Sequence, residues 1–127
     1  MKNLEQIRAR NAWRCTQDVT YSGKESGQVA KKVPALIREH GLLGTLAFSL
    51  EKKGSRGDFA NDGIKRVLDT VAAHLSCKEV NYLPENINDS EKWIEFLTEE
   101  ASSMQLREQT AEAMQYLSYF RRFAHKE

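Results

Sequence analysis

Apolar residues return every three or four positions along almost the whole of this chain, and residues that break helices are scarce. Seven Gly and two Pro in 127 residues are roughly half the usual share. A chain with this spacing and so few breakers lacks the turns of a sandwich or barrel and reads as helices. The expected fold is all-α: a compact single-domain bundle of about six helices over residues 1–127, with a long C-terminal helix.

The first helix starts at Asn3, which can cap it together with Gln6 three residues on, and runs to about residue 19. Leu4, Ile7, Ala12, Cys15 and Val19 share one stripe, with Arg8 inside it; Ala9 and Trp13 lie on another side. Residues 20–27 read as a loop broken by Ser22-Gly23 and Ser26-Gly27. A second helix over 28–40 buries Val29, Val33, Leu36 and Ile37 and turns Lys31 and Arg38 outward. Pro34 predicts a kink or a restart, and Gly41 a stop. Residues 42–53 are apolar on most sides and should form a central, buried third helix. After a loop at 54–58, a fourth helix over 62–76 buries Ile64, Val67, Leu68, Val71 and Leu75 and points Lys65, Arg66 and Asp69 away. Residues 77–89 are irregular. Ser90 caps a short fifth helix bearing Trp93, Ile94, Phe96 and Leu97. The last helix spans 102–124, with Leu106, Ala113, Leu117, Phe120 and Ala124 on its core stripe and Met114 and Tyr116 on the shoulders.

The charges balance overall: 19 Lys and Arg against 18 Asp and Glu, a net of +1. They are not evenly placed. Residues 1–78 carry 14 basic and 8 acidic side chains, and residues 79–127 carry 5 and 10. Such a chain can offer one face to a polyanion and another to a basic neighbour. No stretch approaches the roughly 18 apolar residues of a membrane span, and the start lacks the apolar run of a signal peptide. The expectation is a cytoplasmic protein with no membrane partner, in which Cys15 and Cys77 stay reduced and pack as small hydrophobes.

No catalytic constellation emerges. His40, His74 and His125 lack metal-ligand spacing, and His40 suits a helix end. No Gly-rich phosphate loop is present. Glu99 and Glu100 diverge on a helix, and Asp58 and Asp62 suit helix capping. The sequence predicts no enzyme, no catalytic residue, no cofactor and no metal site.

The basic residues remain. Lys31-Lys32, Lys52-Lys53, Lys65-Arg66 and Arg121-Arg122 form four pairs, and Lys24 and Arg56 fall in predicted loops. A Lys or Arg set against a phosphate adds salt-dependent, sequence-blind affinity, although a lone surface cation is more often merely solvated. Arg121 and Arg122 also suit the negative end of a helix. Arg8, in an apolar stripe, calls for a specific partner, and a phosphate and a core carboxylate weigh equally. Tyr21 and Tyr82 are the loop aromatics on which a base could stack.

Leu4-Glu5-Gln6, Lys31-Lys32-Val33-Pro34, the run Gly41-Leu42-Leu43-Gly44-Thr45-Leu46-Ala47-Phe48, Thr110-Ala111-Glu112-Ala113 and Arg121-Arg122-Phe123-Ala124 together resemble the small (Cmr5-type) subunit of the type III-B CRISPR Cmr complex. Ser118-Tyr119 departs from the Asn-Trp pair common there, and residues 77–100 carry little of the likeness. The resemblance implies an all-α, non-catalytic subunit of an RNA-guided antiviral ribonucleoprotein. Its partners would be the backbone and large subunits, copies of itself stacked head to tail, and the guide RNA–target RNA duplex. Lys31, Lys32, Arg121 and Arg122 fall in matching motifs and are the first candidates to face RNA. Arg8, Lys24, Lys52, Lys53, Arg56 and Arg66 complete the set on charge and predicted exposure. Two other classes stay open: a helical adaptor that binds only protein, and a small double-stranded-DNA-binding protein, for which no recognition helix is apparent.

Overall fold

A computed structural model of the chain describes residues 2–17, 24–53 and 58–124. Five helices and one minimal strand pair follow in order: α1 (Leu4–Thr16), α2 (Lys24–Ser49), β1 (Lys52–Lys53), β2 (Asp58–Phe59), α3 (Asp62–Ser76), α4 (Ser90–Glu99) and α5 (Ser103–Phe123). The all-α expectation holds.

Local chemistry sets most of the ends. Asn3 caps α1 through the predicted reciprocal pair with Gln6, and Ser102 with Gln105 does the same for α5. α3 has the predicted bounds. α1 stops at Thr16; Val19 and Tyr21 lie outside the described residues. Ser90 does not cap α4. Asp89 does, accepting from the Lys92 amide. The Ser90 hydroxyl and amide turn instead to Asp69 Oδ1, at 2.6 and 2.8 Å.

Two expectations are corrected in the first part of α2. It begins at Lys24, within the predicted loop; Gly27 lowers helix propensity by only about 1 kcal/mol relative to Ala, and packing further along the helix overrides that. Pro34 lies buried inside it. The chain does not restart there: the break falls at Gly41, where a stop was expected, with φ 79° and ψ 167°. Burial of Ala30, Val33 and Ile37 outweighs the hydrogen bond that the proline removes.

At Gly41 the helix folds back on itself. Val29 lies against the Gly63 backbone, while the Phe48 carbonyl accepts from Asn61 Nδ2 at 3.0 Å. In a straight helix Val29 and Phe48 would be about 28 Å apart, yet they reach positions two residues apart on α3. Residues 24–40 and 42–49 are therefore two arms of one hairpin. Counting the arms separately gives the six helices expected.

The second arm is only half buried. Leu42, Thr45, Leu46 and Ser49 face inward, and Ala47 and Phe48 face out, which corrects the fully central third helix. Thr45 and Ser49 hide their hydroxyls by donating to the Gly41 and Leu46 carbonyls. Lys52 and Lys53 leave the helix and pair antiparallel with Phe59 and Asp58.

Ala12, Val33, Leu46, Leu68, Val71, Leu75, Trp93, Ala113, Leu117 and Phe120 meet in one core cluster. α1 and α5 lie side by side in the same sense: Arg8 meets Glu112, and the Trp13 ring sets its edge on Phe123 at 5.3 Å. The irregular stretch 77–89 is pinned by buried Leu83 and by Gln109, which accepts from Trp93 Nε1 and donates to the Tyr82 carbonyl. Cys15 and Cys77 form no disulfide.

Candidate nucleic-acid interface

The predicted site residues divide among three parts of the molecule. Lys31 and Lys32 are exposed on the first arm of α2. Lys32 borders a groove that it shares with Leu36, Phe48 and Ile64. Arg66, exposed on α3, lies 3.2 Å from Asp62 one turn back. Asp62 is thus Arg66's partner and not the cap of α3, whose N-cap residue is Asn61. Lys52 stands 5.6 Å from the centre of the Phe59 ring, and Lys65 reaches the same ring at 4.9 Å. Lys65 does not point away, as its place in the pattern suggested. It is largely covered and bonds Asp69 at 3.1 Å. The hairpin, β1 and α3 therefore carry Lys31, Lys32, Lys52 and Arg66 on one unit.

Arg121 and Arg122 sit exposed in the last turn of α5, where the carbonyl end of the helix favours cations. They lie where α5 packs on α1, with neighbouring Phe123 against Trp13. Lys24 opens α2 and Lys53 lies in β1, but their side chains are outside the description, and Arg56 is outside the described residues altogether.

Arg8 has the other partner of the two weighed for it. Its Nε and Nη2 both donate to the Glu112 carboxylate at 2.7 Å, a two-pronged ion pair with Glu112 only 3% exposed. The same carboxylate accepts from His74 Nε2 at 2.9 Å. His74 Nδ1 meets the Asn11 amide nitrogen, also at 2.9 Å. That amide cannot turn round, because its oxygen accepts from Arg10 Nε and Nη2 at 3.2 and 3.1 Å. Asn11 therefore donates to Nδ1, and Nε2 carries the hydrogen that faces the Glu112 carboxylate. Arg10 in turn forks onto Glu79, and the His74 ring stacks on Tyr116 at 4.5 Å.

Electrostatics follow from this chain of contacts. Burial raises the Glu112 carboxyl, but hydrogen bonds from Arg8 and His74 outweigh it and hold the group below the ordinary carboxylate range. The hydrogen bond to Glu112 raises the Arg8 guanidinium further, against partial burial. Both ring nitrogens of His74 are spent inside the protein and its side chain is fully covered. The network is a strap joining α1, α3 and α5.

Pattern reading missed His74, Glu112, Asn11 and Gln109. A signal was there. Gln109, Glu112, Tyr116 and Phe120 fall on one stripe of α5, and His74 sits seven residues after Val67 on the buried face of α3. Polar residues at core positions imply mutual partners, but the pattern does not say which residue meets which.

Among the described residues no helix is long and apolar enough to cross a membrane, and no group of three His, Cys, Asp or Glu could hold a metal. The sequence pattern of the family described as CRISPR-associated protein (Cas_Cmr5) matches residues 4–127. The chain belongs to that family. Searches of curated proteins and of solved structures found no match. As a Cas_Cmr5 chain it is a small subunit associated with the Cmr complex. The match covers the Gly41 hairpin and the Arg121-Arg122 turn of α5 alike.

Proposed function

We propose that this protein is a non-catalytic small subunit of a type III-B Cmr ribonucleoprotein in the cytoplasm. One domain of the chain would stack in several copies as an inner filament and help hold target RNA paired with the guide RNA, in antiviral defence. The observation that carries the reading is the family match over nearly the whole chain. Exposed cations on the α2–α3 unit and at the end of α5 support it. A domain with a net charge of +1 grips RNA weakly alone, but copies held in register sum such contacts through effective concentration. Base pairing then supplies sequence specificity, and this subunit supplies shape and charge. Lys31, Lys32, Lys52, Arg66, Arg121 and Arg122 are the proposed RNA-facing residues, and Lys24, Lys53 and Arg56 complete the proposed set. Arg8 contributes indirectly, by holding α1 in place.

The test is a reconstituted Cmr particle carrying K31E and K32E. Target-RNA affinity should fall at least tenfold near 0.1 M salt, and the slope of log K against log salt should flatten by about 1.5 for each copy that touches the RNA. An unchanged slope would instead indicate an adaptor that touches only protein.

A further inference from the structure

The groove between the hairpin arms and α3 has no occupant within the described chain. Its volume is about 420 Å³, and Ala35, Leu36, Phe48 and Ile64 supply its apolar wall. Phe48 is 39% exposed there. The rim carries one charge of each sign on the same helix: Lys32 at one end and Glu39 at the other, about 10 Å apart.

Elsewhere the molecule carries an apolar knob with the matching pattern. Met104, in the first turn of α5, is 61% exposed, the most exposed of its large apolar side chains among the described residues. Exposed Glu100 precedes it, and exposed Arg107 and Glu108 follow within one turn. Trp13, also exposed, is the poorer fit: it stands between Arg10 and Arg14 and already holds Phe123, so cations would meet cations beside Lys31, Lys32 and Arg66. An unbranched thioether adapts well to an irregular apolar groove. A knob and a groove at different places on one chain make a heterologous contact, which grows into a filament if it does not close.

We infer that Met104 of one copy seats in the Leu36–Phe48–Ile64 groove of the next, with Glu100 and Glu108 toward Lys32 and Arg107 toward Glu39. The inference rests on the stacking proposed above and adds the contact that would carry it. The charge pairs set orientation and register, and the buried thioether supplies the apolar contact.

Cross-linking tests it inside Cmr particles assembled with a mixture of A35C and M104C chains. Mild oxidation should give a 35–104 disulfide between copies, identified by peptide mass spectrometry and reduced at least tenfold when F48E or K32E is added to the A35C chain. The unsubstituted chain, with Cys15 and Cys77, sets the background. A chain bearing both A35C and M104C should give a ladder of oligomers. Particles that contain the chain and capture target RNA, yet give no 35–104 disulfide or only a closed dimer, would overturn this contact and leave the stacking proposal standing. Particles that capture RNA equally well without the chain would overturn the stacking proposal itself.

Discussion

Glu112 ties α5 to both α1 and α3. It is 3% exposed and accepts from both Arg8 and His74. Replacing it by Gln keeps the volume and strands a guanidinium that is itself mostly covered. Breaking such a pair from one side costs about 3 kcal/mol, which lowers Tm by about 12 °C in a chain of this size; thermal unfolding of E112Q measures it. The pH dependence has a definite sign. The folded carboxyl binds its proton less readily than the unfolded one, so its stabilisation is complete above about pH 4.3 and is lost as pH falls through the lowered folded value. Between pH 6 and 3.5 the urea midpoint of the unsubstituted chain should drop further than that of E112Q. The sequence showed that Arg8 sat in an apolar stripe and needed a partner. It did not show that the partner stood 104 positions later, because ion pairing between helices depends on tertiary register.

Helices were legible where capping and periodicity agreed. The Asn3–Gln6 box, read from the sequence, marks a real end, and α3 declares itself through one clean apolar face. Asn3→Ala should weaken the fold by about 1 kcal/mol, read from denaturant midpoints. The errors cluster on α2, where local signals compete. Pro34 and Gly41 both advertise a break, and only packing decides between them. Gly41 holds a φ of 79° and ψ of 167° that side chains disfavour, and an added Cβ would meet nothing within 4 Å. Its substitution therefore tests backbone conformation alone. Gly41→Ala should cost about 1–3 kcal/mol. Gly44→Ala, on ordinary helical backbone and pressing only on exposed His40 at 3.3 Å, should stay under about 1 kcal/mol. The same pair of denaturation curves separates the two.

At the scale of the whole molecule, the charge asymmetry read from the sequence becomes an arrangement of surfaces. Cations lie on the hairpin and α3, acids gather around the start of α5, and Arg121 and Arg122 close the far end. The exposed members of the basic pairs were legible; the groove beside Lys32 was not, because it exists only when the chain doubles back at Gly41. The strap through Glu112 also bears on how the protein comes into being. A nascent chain leaving the ribosome presents α1 well before the carboxylate that α1 requires, which stands 104 residues later. Such distant pairing slows folding and leaves early apolar surface uncovered. A chain ending at residue 102 should show helical circular dichroism but no cooperative melt. During translation α1 would then stay undocked until α5 has emerged, and the amount of finished protein would depend on chaperones that cover α1 during that interval.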